Sequence, residues 1–255
     1  MTTAQLDNTA RLAACPLAEG GTAEQVWTSA GLSLPRLDLC DCAELVVVGA
    51  HPDDETLGFG GAVASLAEAG VPVQIVSSSD GGAAFPDASP LQRYRLEKTR
   101  RAELHSAANV LGVAPPISLG LPDGQLAQHE QRLSDLLTEI LADRSPGTWC
   151  AATWRGDGHP DHEAVGRAAA VAAQRTGVTL VEYPVWMWHW ALPDDRAVPW
   201  QRTYTVPLTP VASQRKLTAA QCFLSQFTPP SPGAEPVLPP YVLSRQLAVG
   251  EVVFR

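Results

Sequence analysis

Glu44-Leu45-Val46-Val47-Val48-Gly49-Ala50-His51-Pro52-Asp53-Asp54-Glu55 is the stretch on which the reading of this chain turns. Four apolar, mostly β-branched residues in a row, 45–48, are the pattern of a strand buried on both faces. The strand runs directly into histidine, proline and three acids, and an apolar periodic stretch over 55–69 then reads as a helix closed by Gly70. A buried strand followed at once by a helix is the opening unit of a parallel α/β sheet.

The same alternation continues outward. Strands are predicted at 73–76, 117–119, 148–153 and 178–183, with helices at 91–111, 134–142 and 162–176 between them. The reading is an α/β fold, a Rossmann-like three-layer sandwich with a mostly parallel sheet and right-handed crossovers. Val252-Val253-Phe254 is expected to close the sheet, and the proline-rich stretch 228–240 to run extended over the surface. Residues 1–43 read as an extension ahead of the domain at 44–255, with a capping box at Thr22–Gln25 opening a short helix. Trp186-Met187-Trp188-His189-Trp190 reads as core or pocket wall, and His105 and His129 as surface or packing residues.

The 255 residues suffice for one sizeable core, with 45% hydrophobic and 18% charged residues. A net charge of −9 argues against nucleic acid or an anionic membrane surface as partner. No apolar run approaches the length of a bilayer span, and residues 1–16 lack the apolar core of a secretory signal. Five irregularly spaced cysteines are expected to be reduced thiols in a cytoplasmic protein, the Cys40–Cys42 pair included.

The chemistry lies in two segments about a hundred residues apart, His51-Pro52-Asp53-Asp54 and His159-Pro160-Asp161-His162. Each follows a predicted strand, and ligands in open α/β sheets sit outside the carboxyl ends of the strands, so both fall on one rim. His51 and Asp54 can aim at one point, and imidazole with carboxylate suits zinc or iron(II) rather than calcium. Asp53 points differently and is placed to take a proton from water. Of His159 and His162, one would complete a His-Asp-His set and the other would stay free to meet a developing oxyanion, oriented by Asp161. Taken singly, an acidic run at a helix start is ordinary dipole complementarity. The pairing of the two segments is what points to a metal site.

These motifs resemble those of the LmbE/PIG-L-type zinc-dependent N-deacetylases, whose A-H-P-D-D-E and H-P-D-H both stand here. The resemblance extends from about Glu44 onward through Ser79-Asp80-Gly81, Arg100-x-x-Glu103, Leu119-Gly120-Leu121-Pro122-Asp123-Gly124 and Ser225-Gln226. It implies zinc on His51, Asp54 and His162, with iron(II) able to occupy the same ligands. It makes Asp53 the general base, His159 the oxyanion partner, and Arg100 and Asp123 contacts to sugar hydroxyls. The implied substrate is a small N-acylated amino sugar, met without integral membrane association or nucleic acid. Some members carry a tyrosine two residues before H-P-D-H; here that position is Asp157, an acid expected to bind a substrate amine or hydroxyl.

Three rivals follow from the same residues. An amidase acting on a thiol conjugate would share the whole site. A dinucleotide-binding module is suggested by Gly58-Phe59-Gly60-Gly61, but the spacing fails G-x-G-x-x-G, and acids occupy the turn where a pyrophosphate would sit. A metal-bound scaffold without catalysis would have no use for Asp53 and His159.

Overall fold

The computed structural model describes residues 7–230 and 233–255. Its strands are β1 (Glu44–Gly49), β2 (Val73–Ser79), β3 (Ile117–Leu121), β4 (Thr148–Thr153), β5 (Thr179–Tyr183), β6 (Thr203–Val206) and β7 (Glu251–Phe254). Its helices are α1 (Asn8–Ala13), α2 (Glu24–Ser29), α3 (Asp54–Glu68), α4 (Pro90–Leu111), α5 (Glu130–Ala142), α6 (Pro160–Thr176), α7 (Met187–Trp190), α8 (Pro210–Ala220), α9 (Leu224–Phe227) and α10 (Pro240–Val249).

Among the described residues the seven strands form one sheet in the order β3-β2-β1-β4-β5-β7-β6. The first five run parallel, and β7 enters antiparallel between β5 and β6. The apolar run of β1 explains the layering. Leu45 and Val47 belong to a core with Phe59 and Val63 of α3 and Leu104 and Ala107 of α4. Val46 and Val48 belong to the opposite core, with Leu133 and Leu137 of α5 and Ala168 and Ala172 of α6. Successive strand residues face opposite sides, so a strand without polar alternation needs a helical layer on each. The result is the expected three-layer α/β sandwich.

Strand order reverses between β1 and β4: β2 and β3 lie to one side of that pair, β5 to the other. The loops leaving β1 and β4 therefore diverge and open a crevice at the strand ends, which is where open α/β sheets hold their ligands.

Several expectations shift at the element edges. Helix α4 begins one residue earlier than the reading, because Ser89 and Gln92 form a reciprocal capping box with Pro90 at the first turn. Helix α2 has no side-chain cap; Thr22 instead donates its hydroxyl to the Ala191 carbonyl, tying residue 22 to the end of α7. The glycines after His51 lie inside α3. A Cβ on Gly58 would stand 2.2 Å from the Tyr183 ring, so this glycine serves helix-to-sheet packing rather than a phosphate.

Residues 7–43 lie against the C-terminal side of the sheet. Trp27 is buried, donates its indole N–H to the Trp188 carbonyl at 2.9 Å and meets that ring edge-on at 4.9 Å. Leu37 and Thr205 exchange backbone contact through Leu37 N–H donating to Thr205 at 2.8 Å. The stretch 228–240 is not simply surface: Leu238 is buried with Leu57 and Val242, because the backbone of Leu238 is pinned to the Gln226 carbonyl. All five cysteines are free.

One buried ion pair ties this architecture together. The Glu251 carboxylate on β7 accepts the amides of Gly61 and Ala62 on α3 and the ammonium of Lys216 on α8 at 2.9 Å. Removing one partner of such a pair leaves the other charge buried without compensation, at a cost of about 3–5 kcal/mol. Glu251→Ala is expected to lower the unfolding free energy by that order, read as a fall in the urea midpoint at unchanged slope; an unchanged midpoint would show that the pair contributes nothing.

Candidate active site

Two backbone devices place the first motif. Strand β1 ends at Gly49, and the chain turns through His51 and Pro52 into α3. Asp53, one residue before the helix, sits at φ 141°, ψ −29°. A non-glycine residue there carries about 1–3 kcal/mol of strain and persists only when its surroundings hold it. The holders are visible. The Asp53 carbonyl accepts the amides of Thr56 and Leu57 at the helix start, and Arg100 donates to both the Asp53 carboxylate and the Pro52 carbonyl at 3.0 Å. Arg100 also donates to the Gly81 carbonyl, and only a glycine at 81 leaves room, since a Cβ there would stand 2.1 Å from the guanidinium.

The second motif follows β4. His159 caps the N-terminus of α6, its Nδ1 accepting the Asp161 amide at 3.2 Å. The neutral tautomer consistent with that bond carries its proton on Nε2. His162, one turn into α6, is fully buried. Its Nδ1 bonds the Asp157 carboxylate at 2.8 Å, and its Nε2 lies 3.2 Å from Asp54 Oδ1.

The two motifs meet. The rings of His51, His159 and His162 lie 4.7–5.5 Å apart in pairs, and His51 Nδ1 is 3.5 Å from Asp54. His51, Asp54 and His162 form a group able to hold a metal ion, each offering an atom within 4.8 Å of the others. A second grouping, His51 with Asp123 and Asp161, meets the same distance. The donor chemistry separates them. Asp161 already accepts the amides of Gly124 and Leu126, and Asp123 that of Ala83, so these two carboxylates serve as partners of His51 Nε2, at 3.3 and 2.9 Å. His162 Nε2, by contrast, is buried without a well-formed hydrogen bond among the described residues. A buried lone pair facing a carboxylate, on a ring whose other nitrogen is held by Asp157, fits a divalent cation.

The charges agree with that reading. Burial alone would push Asp54 up, but His162 and His51 hold it well below the ordinary carboxylate range. Burial opposes a proton on His162, yet Asp54 and Asp157 draw it up to about 9; burial opposes one on His51 as well, and Asp123, Asp161 and Asp54 hold that imidazole well above its ordinary range. A cation would meet this same negative field. Asp53 is pushed up to about 7 by burial, against the pull of Arg100, which is the range of a general base at neutral pH. Burial and the neighbouring imidazoles bring His159 down to about 3, keeping it neutral.

Two expected roles are relocated. Asp157 does not face the pocket. It is fully buried, accepts the amides of Val185, Trp186 and Met187, and holds His162, because a carboxylate with four donors around it has no lone pair to spare for substrate. Asp161 orients His51 rather than His159, meeting the latter only through its backbone amide. Arg100 reaches the pocket with its two terminal nitrogens engaged by Asp53 and two carbonyls, and its buried Nε–H is without a partner among the described residues. His189 lies away from the site, bonded to the Cys15 carbonyl and Arg245.

The pocket at the strand ends has a volume of about 190 Å³. His51, Asp53, Asp54 and His159 form its centre, with Arg100 and Asp123 on one flank. Its other flank is Val185, Trp186, Val237, Leu238 and Val242. Val237 and Leu238 were invisible in a proline-rich segment, 228–240, read as surface; the only signal was that they form an apolar pair between prolines.

Comparison with known proteins agrees with this geometry. Residues 46–173 match the family described as PIG-L: GlcNAc-PI de-N-acetylase, and the chain belongs to that family. It is 33% identical over 156 residues to a 1D-myo-inositol 2-acetamido-2-deoxy-alpha-D-glucopyranoside deacetylase of Mycobacterium sp. (strain KMS), covering 51% of this chain and 50% of that one. It is 26% identical over 139 residues to the diacetylchitobiose deacetylase of Thermococcus kodakarensis, covering 54% and 52%. The chain thus spans about half the length of these curated relatives. Its fold is shared with N,N'-diacetylchitobiose deacetylase from Pyrococcus horikoshii, at a TM-score of 0.57 and 21% identity over 80% of this chain and 78% of that one.

Two substitutions probe the site. His162→Ala is expected to lose bound metal in elemental analysis; retained stoichiometric metal would remove it from the ligand set. Asp157→Asn should weaken metal affinity about 10–100-fold, as loss of a carboxylate behind a ligating histidine does, in competition with a chelator. Unchanged affinity would leave Asp157 a purely structural role.

Proposed function

We propose that this protein is a metal-dependent N-deacylase of small amino sugars, holding zinc, or iron(II) in its place, on His51, Asp54 and His162. The observation that carries this reading is the position of Asp53 and His159: both line the pocket beside the three ligand residues without belonging to them. A structural metal site has no need of a strained carboxylate and a neutral imidazole at its open side. The named activities of the relatives support an amino sugar over a thiol conjugate.

The metal, when bound, would supply a Lewis acid that brings the pKa of water toward about 7 and polarises the amide carbonyl. Asp53 takes the proton of the attacking water as its oxygen adds to the amide carbon. The His159 Nε2–H donates to the carbonyl oxygen as it becomes negative, and a donor already in place costs no reorganisation at that moment. Collapse breaks the C–N bond, and the proton held by Asp53 passes to the leaving nitrogen. The products are a carboxylic acid and the free amine. Arg100 keeps the Asp53 carboxylate turned into the pocket throughout, and Asp123 faces the sugar hydroxyls.

Asp53→Ala is expected to keep about one equivalent of metal and lose about 10²–10⁴-fold in turnover of an N-acetylated amino sugar, the span typical of a general base. Near-full activity in a metal-loaded Asp53→Ala protein would overturn its role. A panel of N-acetylglucosaminides and cysteinyl amides, read by mass spectrometry of the released amine, tests the substrate class; turnover confined to the cysteinyl amides would replace it.

A further inference from the structure

The order of the sheet divides the pocket by chemistry. Its centre comes from the loops after β1 and β4, which carry Asp53 and His159. On the β2–β3 side stand Arg100, Asp123 and Gly124. On the β5 side stand Val185 and Trp186, closed over by Val237 and Leu238 from the segment leading into α10 and by Val242 of α10, with Leu57 of α3 beside them. One polar side chain, Gln226, lies on that flank, and its amide is turned to Ser225, itself held by Glu103.

An amide at the centre has two ends. The hydroxyl-bearing end needs hydrogen-bonding partners, because burying a hydroxyl unpaired is costly. The groups with bonding capacity to spare lie on the β2–β3 flank: Asp123, which takes one bond at each oxygen and keeps a lone pair on both, and the Arg100 Nε–H, which has no partner among the described residues. The acyl end then points to the β5 flank. The methyl of an acetyl group covers far less surface than Leu57, Val185, Trp186, Val237, Leu238 and Val242 present together. Five of these six lie beyond residue 173, outside the stretch that matches the family model.

We propose that the β5 flank is an acyl subsite, and that the preferred substrate carries an N-acyl chain longer than acetyl. The proposal rests on the N-deacylase reading and assigns the acyl group within it. Each methylene taken out of water onto such a wall should improve binding about fourfold, until the flank is filled.

The test uses N-acetyl-, N-butanoyl- and N-hexanoylglucosamine, with the hexyl glycoside of N-acetylglucosamine as the control for a chain at the other end. The metal-loaded enzyme is assayed for kcat/KM, and the metal-loaded Asp53→Asn protein for Kd by calorimetry. Expected is a rise in kcat/KM from acetyl to butanoyl of about fourfold per methylene, with Kd falling in parallel and no gain from the hexyl glycoside. Leu238→Ser, or Val242→Ser if the first does not fold, should flatten the chain-length dependence. Hydrolysis of the acetyl compound with no gain on lengthening overturns the acyl subsite and leaves the deacylase standing. A gain only from the hexyl glycoside overturns it also, by placing the aglycone there. Chain-length-dependent Kd without hydrolysis of any compound supports the subsite and removes the deacylase reading.

Discussion

The hydrogen bond between His162 and the buried carboxylate of Asp157 is the joint on which the site depends. Asp157 leaves β4 and accepts three successive amides from the chain leaving β5, so one carboxylate fixes two neighbouring loops. Its bond to Nδ1 turns Nε2 of His162 toward Asp54, which descends from β1. Three strand ends are registered to one another through a single side chain. An uncompensated carboxylate at full burial would be prohibitive, and the four donors around it are what make the position tenable. The same bond leaves the Nε2 lone pair as the part of the imidazole available for a cation.

A second constraint is backbone strain at Asp53. The residue that would do the chemistry occupies the unfavourable torsion, while its neighbour Asp54 opens the helix in ordinary geometry. Adjacent acids thereby face different ways: one to the ligand group, one to the pocket. The strain is held by Arg100, whose reach depends on Gly81 after β2. Strand β2 contributes no ligand to the metal group, yet it decides where the base points.

Much of this was legible in the residues. The β-branched run at 45–48 specified a doubly covered strand, and the regular alternation that follows it specified a parallel sheet. The spacing within each His-Pro-Asp segment indicated convergent ligands, because three residues make about one helical turn. The placement of both segments after strands put them on one rim. What failed to show was any role that depends on a partner distant in the chain. Asp157 reads locally as an exposed acid in a glycine-flanked loop, and only the amides at 185–187 make it a buried anchor. Asp161 stands two residues from His159 but orients His51. Thr22 looks like a helix cap and bonds Ala191 instead. Val237 and Leu238, set among prolines, look like surface and form the wall of the pocket.

The sequence by itself determined the layer architecture, the rim on which chemistry occurs and the residue types that meet there. These follow from periodicity and from short-range spacing, which the backbone translates into direction without help from the rest of the chain. The tertiary structure alone decided which carboxylate stands behind which histidine, which flank of the pocket is polar and which apolar. Those outcomes depend on the reversal of strand order between β1 and β4, which brings the turns after β2 and β3 to one side of the ligands and the C-terminal segment to the other. A side chain's chemistry is set by what lies against it, and here the deciding neighbours are far apart in the chain, as the 110 residues between His51 and its partner Asp161 illustrate.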